Sequence, residues 1–140
     1  NEDKNIIIDC GGIDSDINRL AVVNSDVLII PVKDNSFEIL AFVRYIKVIE
    51  KLIVKNPNLK VMALINNVHH SSKDFSRLNE LIDSKPYIYL SKTIIRQRAV
   101  YSNLLEEGLT VVEKMPNSNA AIDIESLNYE IKGLYYEKKN

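Results

Sequence analysis

The chain has no tryptophan, one cysteine, and only four glycines and four prolines in 140 residues. A single cysteine, Cys10, excludes an internal disulfide and any Cys-rich zinc site, which suits a reducing cytoplasm. No run approaches the roughly 18 apolar residues that a transmembrane helix needs, and the first residues, Asn1-Glu2-Asp3-Lys4, carry no signal-peptide pattern. Charge of one sign is lacking too. With a formal net charge of −1, no global basic field marks a nucleic-acid binder, so any such contact is a local patch. Repeats, low-complexity tracts and linkers are absent, and 46% hydrophobic residues suffice for one compact domain over 1–140. There is no initiator Met and an apolar run starts by the sixth residue, so the chain reads as a piece of something longer.

What is present is a set of short, continuous apolar runs: Ile6-Ile7-Ile8, Val27-Leu28-Ile29-Ile30 and Val61-Met62-Ala63-Leu64-Ile65. They are rich in Ile and Val and do not alternate, as expected of strands buried on both faces. Tyr87-Ile88-Tyr89-Leu90 reads as a fourth strand.

Helical patterns separate these runs. Asp14 to Asn24 carries Ile17, Leu20, Ala21 and Val23. Ser36 reads as the N-cap of a long helix to about Lys55, with Ile39, Phe42, Val43, Ile46, Ile49 and Ile53 at helical spacing. Ser71 and Asp74 have capping-box spacing before a helix to about Ser84 that turns Phe75, Leu78, Leu81 and Ile82 inward. A helix from about Gln97 to Glu107 closes on Gly108, and a last one runs from about Ala121 to Tyr136 with Ile124, Leu127, Ile131 and Leu134 on one side. Alternating strands and helices predict an α/β fold with a mainly parallel sheet flanked by helices.

Ligands of such sheets sit at the carboxyl ends of the strands. At the first, Asp9 is followed by Cys10, Gly11 and Gly12; a carboxylate there reaches Mg²⁺ through water, and the glycines let backbone N–H groups approach a phosphate. The same residues also suit a plain turn after a strand. The third run ends in Asn66-Asn67, amides able to bond a base edge or simply to form a loop. Basic residues fall in two groups, a helical stripe of Arg44, Lys47, Lys51 and Lys55, and a cluster of Lys92, Arg96 and Arg98. The stripe reads as a solvated face. His69-His70 reads as a surface loop, and Cys10 as a small buried thiol.

In order, these motifs resemble the ParA/MinD-type (deviant Walker A) partition ATPases. The segment Ile6 to Val32 resembles their Walker B and switch II region, including the strand Ser25-Asp26-Val27-Leu28-Ile29-Ile30-Pro31-Val32. The likeness continues through SFEILAFVRYIKVIEKL, VMALINN and IIRQRAVYSNLLEEGLTVVE, and is closest to the ParF-like plasmid and chromosome segregation proteins.

The resemblance implies a P-loop NTPase-like fold, ATP and Mg²⁺ as cofactors, and ATP-driven dimers that bind DNA and a ParB-like centromere-binding partner. By it, Asp9 is the Walker B carboxylate at the metal, Gly11 and Gly12 sense the γ-phosphate, and Asn66 or Asn67 borders the adenine. Lys92, Arg96 and Arg98 lie on the DNA-binding surface. Two departures are a Gly-Gly pair where relatives often carry Pro, and Ile94-Ile95 where many have a Pro nearby.

The family's phosphate loop is missing, since no G-K-[ST] occurs in the 140 residues. Phosphoryl transfer rests on positioning and charge stabilisation, so the chain alone is expected neither to bind ATP tightly nor to hydrolyse it. The family fold places the loop's strand between the Asp9 run and the Val27 run, so an empty slot is expected there. A non-catalytic α/β interaction module is the competing reading. Membrane positioning is disfavoured because the chain ends in Tyr-Tyr-Glu-Lys-Lys-Asn, without a basic amphipathic helix.

Overall fold

The computed structural model describes residues 5–12 and 14–136. Asn1 to Lys4 and the Lys138-Lys139 tail lie outside the described residues. Three strands form one parallel sheet in the order β1 (Val27–Val32), β2 (Lys60–Val68), β3 (Ile88–Arg96). Helix α1 (Asp16–Val23) precedes β1, α2 (Ser36–Lys55) joins β1 to β2, and α3 (Ser76–Asp83) joins β2 to β3. Three helices follow: α4 (Ala99–Glu106), α5 (Val111–Lys114) and α6 (Asn119–Tyr136). The α/β class with a parallel sheet flanked by helices is as expected, and the arrangement fits a partial P-loop NTPase-like fold.

The strand period of two divides the core. Val61, Ala63 and Ile65 pack with Phe42, Ile46, Ile49 and Leu52 of α2 and with Leu78 and Ile82 of α3. Met62 and Leu64, buried on the other face, lie on the side of α6, which crosses β3 and reaches β1. A smaller cluster of Leu104, Val111, Ala120 and Ala121 holds α4, α5 and α6 together. β2 is the central strand, and its near-continuous burial explains its unalternating sequence.

Several local expectations change. The run Ile6-Ile7-Ile8 is not a strand; Ile7 is 95% exposed. A strand requires a neighbouring ladder of N–H and C=O groups, and none adjoins this run among the described residues. Ile17 and Leu20 of α1 are likewise exposed, and Val22 is its buried residue. The α2 cap is Asn35, whose side chain accepts from Glu38 N at 3.0 Å, and Ser36 is the first helical residue. The Ser71/Asp74 capping box does not form: α3 starts at Ser76, and Asp74 Oδ1 accepts from Ser76 N at 2.9 Å. Cys10 is exposed, not buried.

β1 has one paired and one free edge. Lys60 N donates to Asp26 O at 3.0 Å, so the even-numbered residues of β1 address β2 and the odd-numbered ones face outward. Pro31, which has no N–H, is on the outward side.

Candidate functional site: the groove along the free edge of β1

A groove of about 540 Å³ runs along that free edge. Leu28 to Val32 form one wall, α2 contributes Phe42, Arg44 and Tyr45, and Cys10, Gly11 and Gly12 form the opposite wall. The glycine segment is held there by α1: Asn18 Nδ2 donates to Gly11 O at 2.8 Å, and Ser15 Oγ caps the helix by accepting from Asn18 N at 3.2 Å. Arg19 forks onto Asp14 at 2.7 and 2.6 Å, which lowers the Asp14 carboxyl and raises the guanidinium. Tyr45 is pushed above the ordinary phenol range, first by burial and then by the nearby Asp14 carboxylate. It therefore stays protonated at neutral pH, a donor on the groove wall.

Asp9 is exposed beside this groove, and a Cβ at Gly11 or Gly12 would meet nothing within 4 Å. An exposed carboxylate thus adjoins two unobstructed glycines in the chain. One carboxylate suits Mg²⁺ shared with substrate phosphates, because that ion keeps several waters and seldom has an all-protein cage. Among the described residues no group of three His, Cys, Asp or Glu side chains could hold a metal by itself.

Asn66 and Asn67 lie just before the end of β2 at Val68, and β1 stands between that strand and the groove. A register shift between β2 and β3 occurs here; Ser91 Oγ fills the gap in the ladder, accepting from Ile65 N at 3.2 Å and donating to Thr93 O at 2.8 Å. A second shift falls between Asn66 and Val68, and within it Asn67 adopts φ +52°, a left-handed conformation that Asn tolerates better than most residues. Asn66 is half-buried and Asn67 exposed. On the same end of the sheet, Asp34 Oδ1 is buried with no hydrogen-bond partner among the described residues.

The three members of the basic cluster are engaged differently. Arg96 Nη1 donates to the carbonyls of His69 at 3.1 Å and Ser72 at 2.6 Å, with its guanidinium 6.0 Å from the Phe75 ring centre. Arg98 pairs with Asp123 at 2.9 Å, both side chains mostly buried. Lys92 is exposed. His69-His70 is the expected surface loop, His69 Nδ1 lying 2.7 Å from Ser71 Oγ.

Sequence reasoning missed Glu130. Its carboxylate accepts from Tyr89 OH, Lys92 N and Thr93 N at 2.6, 2.6 and 2.9 Å, tying α6 to β3. The available signal was an acid three residues after Leu127 and four before Leu134, within the apolar stripe of α6.

The chain is similar to the maintenance of carboxysome distribution protein A of Halothiobacillus neapolitanus (strain ATCC 23641 / c2). Identity is 27% over 119 residues, covering 84% of this chain and 55% of the relative. The chain thus spans about half the length of that protein. No family model and no solved structure matches it. No helix among the described residues is long and apolar enough to cross a membrane.

Proposed function

We propose that this chain is the Walker B, switch II and adenine-side portion of a ParA/MinD-type ATPase that partitions DNA. The observation that carries the reading is the groove. The free edge of β1 faces Cys10-Gly11-Gly12 across an open channel, at the position where the resemblance requires a phosphate-loop strand. Motif order along the chain and the similarity to a protein named for maintaining a distribution support it.

In this reading Asp9 orients the waters of Mg²⁺, and the Gly11 and Gly12 amides meet the γ-phosphate. Asn66 or Asn67 borders the base. Lys92 with Arg96 and Arg98 meets DNA phosphates without reading sequence, and a ParB-like protein is the partner. ATP and Mg²⁺ belong to the complete protein, whose phosphate loop supplies the lysines lacking here.

A second reading keeps the ATPase and changes the cargo to a protein body. The carboxysome in the relative's name favours it, as does the engagement of Arg96 and Arg98 by partners within the chain.

The test joins this chain to a half carrying a K-G-G-x-G-K-T loop and measures Mg²⁺-dependent ATP hydrolysis. The joined protein should hydrolyse ATP, its Asp9→Ala variant should not, and the 140-residue chain alone should be inactive. Saturable hydrolysis by the chain alone, or an Asp9→Ala variant as active as the parent, overturns the proposal. DNA retention that is unchanged after reversing the charges of Arg96 and Arg98 removes DNA contact from it.

A further inference from the structure

The outward face of α6 carries a feature that the ATPase reading does not use. Ile122, Tyr129 and Tyr136 recur every seventh residue and are 49%, 82% and 57% exposed. Over 14 residues an α-helix rises about 21 Å and such a repeat drifts only about 40°, so the three side chains form one continuous stripe. Beside the stripe lie Glu125 and Lys132, both exposed, and among the described residues neither is engaged in an ion pair. Ser126 and Gly133 flank Tyr129 at i−3 and i+4, and a Cβ at Gly133 would meet nothing within 4 Å. None of these residues lines the groove along β1.

We propose that this face of α6 pairs antiparallel with the same helix of a second copy of the chain, about a two-fold axis at Tyr129. The order of residues selects that occupant. Reversing the helix about Tyr129 sets Ile122 against Tyr136 of the other copy and brings Glu125 within a residue of its Lys132. Two apolar contacts and two opposite-charge contacts then arise from one operation, the self-complementarity that a two-fold interface demands. A parallel pairing would set Glu125 against Glu125 and Lys132 against Lys132. The hollow over Gly133 and Ser126 gives the facing Tyr129 ring room to approach the backbone. A single helix pair buries less than a standard interface, so the dimer is weak and forms in proportion to concentration. It needs no nucleotide, which separates it from the ATP-driven dimer implied by the family resemblance.

Sedimentation velocity of the 140-residue chain over a concentration series without nucleotide tests the proposal, with circular dichroism confirming that each variant is folded. The chain should pass from monomer to dimer. Tyr129→Glu should abolish the dimer by placing two like charges on the axis. Glu125→Lys and Lys132→Glu should each weaken it about tenfold, and both the double variant and an equimolar mixture of the two single variants should restore it. A chain that stays monomeric throughout overturns the proposal. So does a dimer indifferent to Tyr129→Glu, which would lie on another surface. Single charge reversals that are not rescued by the double variant or the mixture overturn the antiparallel arrangement.

Discussion

Tyr89 on β3 and Glu130 on α6 are joined by a 2.6 Å hydrogen bond from phenol to carboxylate. The same carboxylate also receives the backbone N–H groups of Lys92 and Thr93. One side chain thereby occupies two amides of β3 and anchors the longest C-terminal helix to the sheet.

Glu130→Ala should destabilise the fold by about 2 kcal/mol, since it leaves two backbone donors and a phenol without their charged acceptor. Burial pushes the Glu130 carboxyl up, but the bonds from Thr93, Tyr89 and Lys92 together outweigh that and hold it below the ordinary glutamate range. Because the folded value is the lower one, this stabilisation is complete above the ordinary range and is lost as pH falls through the folded value. Urea midpoints of the parent and Glu130→Gln should therefore differ at neutral pH and converge in acid. A gap unchanged down to acidic pH would show that the carboxylate charge is not what holds α6.

Arg96→Ala should loosen residues 69–74, because one guanidinium nitrogen bridges the carbonyls of His69 and Ser72. Hydrogen exchange of that loop should quicken, with a loss of about 1–2 kcal/mol in stability. Arg96→Lys should restore only part of it, as an ammonium on a flexible stem is less pre-organised than the guanidinium.

At the start of α2, Asn35→Ala should cost about 1 kcal/mol and Ser36→Ala only a few tenths. The Asn35 side chain accepts from Glu38 N at 3.0 Å, so thermal melts of the two variants should separate clearly.

Gly108 and Gly133 should respond in opposite directions to alanine. Gly108 has φ +67°, a conformation costing other residues about 1–2 kcal/mol, so Gly108→Ala destabilises. Gly133 sits within α6 in open space, and Gly133→Ala should stabilise by about 0.5–1 kcal/mol.

Elements that pack on a neighbouring strand or helix were legible in the sequence. Val27 to Ile30, Val61 to Ile65 and Tyr87 to Leu90 all mark strands, and α2 ends at Lys55 as its periodicity predicts. Ile6 to Ile8 has the same composition and forms no strand, because composition reports a preference for burial and not whether a neighbouring ladder exists. Charge was similarly opaque. Arg96 and Arg98 look like a surface pair, yet their carbonyl and Asp123 partners come from loops and helices distant in sequence. Asn35 and Ser36 are both good caps, and the choice between them follows from backbone geometry rather than residue type.

The placement of Pro31 bears on how the chain behaves at high concentration. An exposed strand edge is a template onto which other chains can anneal, and proteins guard against this by interrupting its row of donors. On β1 the outward row that begins with the amides of Val27 and Ile29 ends at Pro31, a nitrogen that cannot donate. A strand laid along this edge in a regular ladder leaves an acceptor unmet opposite Pro31. Indiscriminate stacking into cross-β aggregates is therefore penalised at every added layer, while a strand whose sequence and register allow for that gap is not.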